Sequence, residues 1–375
     1  MAITIQPYRP EHEPAVEEFN QRLRAASDPN LVFYKTSAPH WLPKLGDHPL
    51  YNEYFVAVDA GIVHGAYALK HERVFVPGQG EIAVACYHHP LSEGIVNRTY
   101  AAVGTLMVRD ALLRQPLLYA LGMGGLDHPL PKMLKALGSS LALLPFFFKI
   151  VHPSRFLKEM QALRTSALRC LLMDIGAATG LGWLALRGAQ NAKRARWSRP
   201  TVGAGVNVSR VPEFSDWADP LWLRGREQYR MAAIRDSATL RRLYPAADRH
   251  FTRLRIRRNQ TDIGWAVVGE KRKDSKYGSM TVGSIVDCWA SPEDAIAVME
   301  AATRELEAQN VDLIVSNQSH LAWGHALERC GFFKGPSNFI FAASRKYAEA
   351  LHPFAESCGR FHITRADGDG LPRNF

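Results

Sequence analysis

Cysteine is scarce in this chain, with five residues in 375. Cys86, Cys170, Cys288, Cys330 and Cys358 are scattered, and no pair has metal-ligand spacing. An odd, dispersed set reads as reduced thiols in a cytoplasmic protein, without a disulfide framework and without a metal. Long apolar runs are missing too. The stretch from Leu137 to Val151 is broken by Pro145, and Cys170 to Leu186 contains Asp174 and three glycines. Neither reaches the ~20 residues of a membrane-spanning helix. The opening Met-Ala-Ile-Thr-Ile-Gln lacks the basic region and apolar run of a signal peptide. No Gln/Asn-rich or Ser/Pro-rich tract occurs, which excludes a low-complexity chain. Acids are the minority charge, 36 against 46 Lys and Arg, giving a net +10. That excess suits anionic ligands such as coenzymes, RNA or lipid head groups and selects none of them.

What remains is ordinary globular protein: 47% apolar and 22% charged residues. At 375 residues the chain exceeds one compact core, so two domains are expected. Ile3 to Ile5 read as a first strand, followed by a helix from about Glu11 to Ala25. Tyr54–Val58 and Val63–Leu69 flank an Asp59-Ala60-Gly61 turn, and Val74–Val76 and Ile82–Tyr87 flank Pro77–Gly80. A helix follows from about Tyr100 to Leu113, with Val103, Leu106, Met107 and Leu113 at helical spacing. Then come a strand at Leu117–Leu121, a helix at His128–Leu137 and a closing strand at Phe146–Val151. The order returns as a hairpin of His250–Arg258 and Ile263–Val268, a strand at Met280–Cys288 and a helix opening at Ser291-Pro292-Glu293-Asp294. A strand at Val311–Ser316, a helix at His320–Cys330 and a strand at Phe339–Ala342 complete it. Gly138 and Gly331, each ending a short helix, lie 193 residues apart. The same offset superposes the neighbouring elements without gaps, so a duplicated unit is the simplest account. The expected division is 1–152, a helical basic linker at 153–203 holding Arg187, Lys193, Arg194, Arg196 and Arg199, and 204–375.

A helix, an antiparallel meander, a strand entering a helix and then strand–helix–strand resembles the GNAT superfamily of acyl-CoA-dependent N-acyltransferases. Ser316-Asn317-Gln318-Ser319-His320 through Ala326-Leu327-Glu328-Arg329-Cys330-Gly331-Phe332 is similar to the family's late motif. Leu327, and Leu134 in the first half, stand where the family has a tyrosine acid. The family's coenzyme signature, Arg/Gln-x-x-Gly-x-Gly/Ala at a helix N-terminus, matches Thr99-Tyr100-Ala101-Ala102-Val103-Gly104 in part, with Arg98 one residue early. In the second half Ser291–Ile296 occupies the equivalent place, and Glu293 and Asp294 would repel a pyrophosphate. The strings Leu91–Val96, Gly122–Asp127, Val286-Asp287-Cys288 and Ser316–His320 also look like uncharacterised tandem GNAT-like proteins, some beside bacterial exopolysaccharide genes. Fem-type aminoacyl transferases share the doubled fold.

The resemblance implies an α/β (α+β) protein of two tandem GNAT-like domains, each a mixed, mostly antiparallel sheet flanked by helices. It implies an acyltransferase that takes acyl-CoA, with no metal, and acylates an amine on a sugar or amino acid, in exopolysaccharide or cell-envelope synthesis. Coenzyme would lie on Ala101, Ala102, Val103 and Gly104, with backbone N–H groups near Ile95 and Val96 polarising the thioester. Glu93 or Asp287 would accept the amine's proton, and Tyr87 or Tyr100 would supply the missing tyrosine. Ser92, Asn317, His320 and Asp367 are candidate substrate contacts. Each has a plainer reading: Glu93 as a solvated turn residue, Asp287 as a carboxylate pinned by N–H groups, Asn317 as a helix-leading turn residue. His88-His89 reads as a proton relay, a ligand pair or ordinary strand-end histidines.

The tail Phe361–Gly370 reads either as an added strand carrying Arg365, Asp367 and Asp369 or as a solvated terminus. Arg253, Arg255 and Arg257 make one strand face cationic, extended by Lys271, Arg272 and Lys273. The helix at Leu171–Leu186 is compatible with peripheral membrane contact or with domain packing. The alternatives are a Fem-like transferase using aminoacyl-tRNA, which would employ the basic charge, and a catalytically inactive GNAT-fold binding protein; no reading calls for DNA.

Overall fold

The computed structural model describes residues 3–26, 31–159, 188, 205–274 and 278–368. The expected Leu171–Leu186 helix, the basic end of the linker and Asp369 lie outside them, as do the side chains of Lys271, Arg272 and Lys273. In chain order the first half runs β1 (Thr4–Pro7), α1 (Glu13–Ala26), β2 (Tyr51–Asp59), β3 (Ile62–Val76), β4 (Gly80–Ser92), α2 (Val103–Arg114), β5 (Leu118–Gly122), α3 (Pro129–Ala136), β6 (Ser140–Leu143), β7 (Phe146–Ile150) and α4 (Pro153–Glu159). The second half opens with β8 (Val206–Val211), α5 (Ala218–Gly225), β9 (Met231–Ala233), α6 (Ser237–Leu243), β10 (Phe251–Arg258), β11 (Thr261–Asp274) and β12 (Gly278–Ala290). It continues through α7 (Ala295–Ala308), β13 (Leu313–Asn317), α8 (Leu321–Arg329), β14 (Phe333–Gly335), β15 (Ile340–Ala343), α9 (Arg345–Ala350), α10 (Phe354–Ser357) and β16 (Phe361–His362).

The 193-residue repeat is real at the level of elements. It carries α2 onto α7, α3 onto α8, β6 onto β14 and β7 onto β15, each to within one residue at either end. The sheets repeat as well. One follows the path β1-β2-β3-β4-β5-β15-β6 and the other β8-β10-β11-β12-β13-β7-β14. These are one order written twice, with the last strand of each half exchanged. Over the described residues the chain accordingly divides into unit 1, up to Leu143 with Asn338–Ser357, Asp367 and Gly368, and unit 2, Leu144–Ser337 with Cys358–Ala366. Phe146–Val151, expected to close the first domain, instead gives a strand to unit 2. There β7 pairs antiparallel with both β13 and β14, and Ile150 packs with Met280, Val282, Leu313 and Val315. Reciprocally, β15 lies between β5 and β6 of unit 1.

In unit 1, Ala60 (φ 50°) and Gly61 (φ 82°) make the left-handed turn that joins β2 to β3. β3 is one long strand where two shorter ones were expected, because Lys70 and Glu72 sit inside the sheet. Both point to the same face, Lys70 Nζ lies 3.6 Å from Glu72 Oε2, and both are buried. The opposite face of the sheet carries Tyr67, Leu69, Ala85 and Tyr87 against Val103, Met107 and Ala111 of α2. Of the apolar residues expected to bury α2, Leu106 and Leu113 face solvent, and Val108 and Ala111 take their place.

Both sheets open at one point. β4 and β5 pair in parallel only at Ala85↔Leu118 and Cys86↔Tyr119, after which β4 continues to Ser92 without β5. β12 and β13 pair from Val282↔Leu313 to Ile285↔Ser316, and β12 runs on to Ala290. On its other edge each parting strand holds one extra residue, at His89–Pro90 in β4 (His89 φ 49°) and at Val286 in β12. Such bulges bend a strand out of its ladder.

Candidate functional site

In unit 1 the end of β4 leads through two 3-10 turns, Glu93–Ile95 and Arg98–Tyr100, into α2. Ser92, Glu93, Ile95, Val96 and Ala101–Gly104 are therefore one continuous stretch beside the parted strands. Much of its hydrogen bonding is internal. Ser92 Oγ accepts from the Gly94 N–H (3.1 Å), and the Glu93 carbonyl accepts from the N–H groups of Val96 (3.0 Å) and Asn97 (2.8 Å). The Val96 N–H is thus occupied, which removes it as the expected polariser of a thioester carbonyl, and Ser92 serves as a turn cap. Asn97 Oδ1 accepts from the Thr99 N–H at 3.0 Å.

Glu93 is not the solvated turn residue of the plainer reading, and it is not an uncommitted base. Its side chain is buried, Oε1 accepts from Arg22 Nε (3.1 Å), and Oε2 lies 3.2 Å from Arg22 Nη2 and 2.7 Å from His64 Nδ1. Burial raises its carboxyl, but the hydrogen bonds from Arg22 and His64 outweigh burial and hold it below the usual carboxylate range. Tyr87 is part of the apolar core beneath α2. Its hydroxyl makes no hydrogen bond among the described residues, and burial pushes its pKa well up. His88 and His89 part company: His88 Nε2 meets Asn52 Oδ1 at 3.2 Å, and His89 Nε2 meets the Val32 carbonyl at 2.8 Å. No cluster of metal-binding side chains occurs among the described residues.

The stretch ends on an open helix terminus. The residue before α2, Ala102, provides no side-chain cap, and helix geometry leaves the N–H groups of Val103, Gly104 and Thr105 without acceptors inside the helix. Ala101 and Ala102 are exposed and Gly104 is half-buried. A Cβ on Gly104 would meet nothing nearer than Met133 Sδ, 3.8 Å away, so packing within the protein does not require glycine there.

The corresponding region of unit 2 is filled by the chain itself. Asp287 Oδ2 accepts from Arg235 Nε (2.8 Å) and the Tyr244 hydroxyl (3.0 Å), while Oδ1 accepts from the Thr364 hydroxyl and the Cys288 N–H (3.0 Å each). The carboxylate is pinned, but by a guanidinium and two hydroxyls with a single backbone N–H, where the plainer reading expected N–H groups. The tail spans the parted strands: Thr364 bridges to Gln318, Ile363 N–H donates to Ser319 Oγ at 2.8 Å, and Arg365 Nη1 donates to Asn317 Oδ1 at 3.3 Å. His320 caps α8, its Nδ1 accepting from the Ala322 N–H at 3.2 Å. The residue before α7, Asp294, likewise provides no side-chain cap; it is buried and pairs with Arg258 at 2.8 Å. Asn317 and His320 thus have structural duties. Asp367 belongs to unit 1, where its carbonyl accepts from Lys70 Nζ (3.0 Å) and lies 2.9 Å from the Tyr119 hydroxyl, itself bonded to Glu72. The tail, at least to Asp367, is ordered and buried rather than solvated.

The cationic strand face is largely spoken for. Arg253 is buried and donates to the carbonyls of Tyr244, Phe251 and Asp248, and Arg255 forms a two-bonded pair with Asp262 (2.7 and 2.8 Å) beneath which Trp217 stacks. Sequence reasoning missed Arg22, His64, Arg235, Lys70 and Glu72. Lys70 and Arg235 carried a signal, each being a single charge at the end of an apolar run (Ala66–Leu69 and Met231–Ile234).

Solved structures share this architecture. A GCN5-related N-acetyltransferase from Anabaena variabilis is similar over 93% of this chain and 74% of its own, with a TM-score of 0.53 at 9% identity. The chain carries the GNAT fold twice. A probable N-acyltransferase from Enterococcus faecalis is similar over 99% of this chain and 86% of its own (TM-score 0.50, 9% identity). Saccharomyces cerevisiae N-myristoyltransferase with bound myristoyl-CoA is similar over 92% and 78% (TM-score 0.50, 10% identity). No protein-family model and no curated protein matches the sequence. In this tandem GNAT fold both helix termini lack a side-chain cap, but the residues leading into α2, Ala101 and Ala102, are exposed, whereas Asp294 and Ala295 at α7 are buried. No helix among the described residues is long and apolar enough to cross a membrane.

Proposed function

We propose that this protein transfers an acyl group from acyl-CoA to an amine acceptor, with the coenzyme on unit 1. The observation that carries the reading is the N-terminus of α2: uncapped, entered through the exposed Ala101 and Ala102, followed by the buried Val103 and half-buried Gly104, and set where β4 and β5 part. Three N–H groups and the positive end of a 12-residue helix suit a pyrophosphate. The spare room over Gly104 fits a ligand approaching the backbone. The acyltransferases that share the fold, one of them with an acyl-CoA bound, support the same chemistry. When bound, acyl-CoA supplies an activated acyl carbonyl and a thiol leaving group.

The chain's own part is to hold the phosphates and the acceptor. Glu93 and Asp287 are held by ion pairs and hydrogen bonds, and Tyr87 is buried in the core beneath α2, so the reading gives the amine's proton to solvent water; kcat/KM should then rise with pH along the acceptor amine's own titration. A sugar or amino-acid amine in exopolysaccharide or cell-envelope synthesis remains the acceptor class we favour, in the cytoplasm. The aminoacyl-tRNA alternative loses support from the occupied arginines of β10. The filled cleft of unit 2 supports a non-catalytic role for that half.

The test is thermal unfolding with CoA, acetyl-CoA and longer acyl-CoAs. A ligand at 100 times its Kd stabilises by about 2.7 kcal/mol. Ala102→Asp or Gly104→Glu should abolish that shift. No shift with any CoA overturns the reading.

A further inference from the structure

The stretch between Ser92 and α2 is fastened by side chains from two distant elements of unit 1. Arg22, on α1, reaches Glu93 with Nε and Nη2, and the same Nη2 donates to the Val63 carbonyl at 2.6 Å. His64, the next residue on β3, holds the Glu93 Oε2 with Nδ1 and lays its ring on Tyr100, with centroids 4.0 Å apart and planes 17° from parallel. Glu93 lies in the first 3-10 turn and Tyr100 in the second, so His64 touches both. Gly94 brings the two turns into backbone contact. A Cβ there would fall 2.6 Å from the Tyr100 carbonyl oxygen and 2.9 Å from Ala101 Cα. One buried carboxylate therefore ties α1, β3 and both turns together, immediately ahead of the helix terminus assigned to the phosphates.

We propose that Arg22, His64 and Glu93 are positioning residues that fasten Ser92–Ala102 and so preset the first-turn N–H groups of α2 for the phosphates of CoA. The proposal rests on the coenzyme reading above. Its physical content is preorganisation. A ligand that must first order a loosened segment binds more weakly by the fraction of molecules already ordered. If loss of the fastening leaves one molecule in ten with the turns in place, Kd rises about tenfold.

The experiment compares the full-length wild-type protein with Glu93→Gln, His64→Asn and Arg22→Lys. Two readings are taken on each: hydrogen exchange of the peptide covering Ser92–Ala102 without ligand, and the Kd for CoA by calorimetry. Glu93→Gln preserves shape and removes the charge, and Arg22→Lys keeps a cation but loses the two-toothed grip. Expected are faster exchange confined to Ser92–Ala102 and a Kd raised about tenfold in Glu93→Gln, with Arg22→Lys intermediate. A purely structural role would spread exchange across unit 1 and lower Tm without this local pattern, and that outcome overturns the proposal. Unchanged exchange of Ser92–Ala102 in both Glu93→Gln and His64→Asn overturns it whatever CoA does. If wild type binds no CoA while the variants loosen the segment, the coenzyme reading fails and positioning for CoA fails with it, leaving a fastening whose purpose lies elsewhere.

Discussion

Asp287→Asn separates a structural carboxylate from a reacting one. Asp287 and Arg235 are 0% and 1% exposed, and their charges meet at 2.8 Å. Asparagine keeps an oxygen for the Thr364 hydroxyl and the Cys288 N–H, but it removes the charge that meets the buried Arg235 guanidinium. Breaking one side of a buried pair costs about 3–5 kcal/mol. For a domain of 150–250 residues each kcal/mol lowers Tm by about 2–4 °C, so the variant should melt roughly 6–20 °C lower. Differential scanning calorimetry on the purified protein reads this directly. Adding Arg235→Met removes the other charge of the pair and should return part of the loss. An Asp287→Asn protein that melts within about 2 °C of wild type refutes the reasoning. If that same protein had lost acyl transfer, Asp287 would be a reacting group after all.

Gly94→Ala forces two turns apart and should cost about 1–3 kcal/mol in urea unfolding while weakening CoA binding. Gly104→Ala should leave stability unchanged or raise it by about 0.5–1 kcal/mol, because the new methyl has room and glycine is a poor helix residue. A loss of more than 1 kcal/mol would show that packing needs the glycine. Burial, and then Arg360, pull His320 down to about 4, and its Nδ1 must stay unprotonated to cap α8. The unfolded chain then binds the proton more readily, so stability present above pH ~6.5 drains away as pH falls towards 4, by about 1–3 kcal/mol. His320→Asn, a good cap without that titration, should flatten this segment of the Tm–pH curve. A chain ending at Ala366 removes a carbonyl bonded to Lys70 and Tyr119, and should lose about 1–3 kcal/mol by denaturant titration.

Local pattern made most of the repeated elements legible, though not β6, β14 or the four elements of residues 206–243. The Asp59-Ala60-Gly61 turn, the alternation of β10 and the glycine stop at Gly331 (φ 88°) are all set by residues next to one another. The failures involve partners far along the chain. Lys70 and Glu72 looked like a strand break because nothing local shows that Tyr119 and Asp367 wait to satisfy them. Phe146–Ile150 reads as a strand from its own residues, and no feature within it says which sheet it joins. The candidate site shows the same limit. Glu93 stood out as a carboxylate after a strand, but its meaning depends on Arg22, 71 residues earlier. Asp287 depends on Thr364, 77 residues later. Arg253, Arg255 and Arg257 read as one cationic strand face, and nothing in it marked Arg253 as buried, because the carbonyl acceptors that satisfy it leave no mark in a sequence.

The exchange of β7 and β15 has a consequence for synthesis on the ribosome. When Gly122 has emerged, β5 has nothing to pair with on its far side, and β6 has no neighbour in its sheet until Ile340–Ala343 is made. That is roughly 220 residues later, a wait of about 10–40 s at ordinary elongation rates. Through that interval β5 presents an open edge of the kind that recruits foreign strands, and Phe146–Ile150 waits in turn for β13. Neither half can finish its sheet from its own sequence alone. A nascent chain stalled before Ile340 would therefore hold two incomplete sheets, each with an unpaired edge.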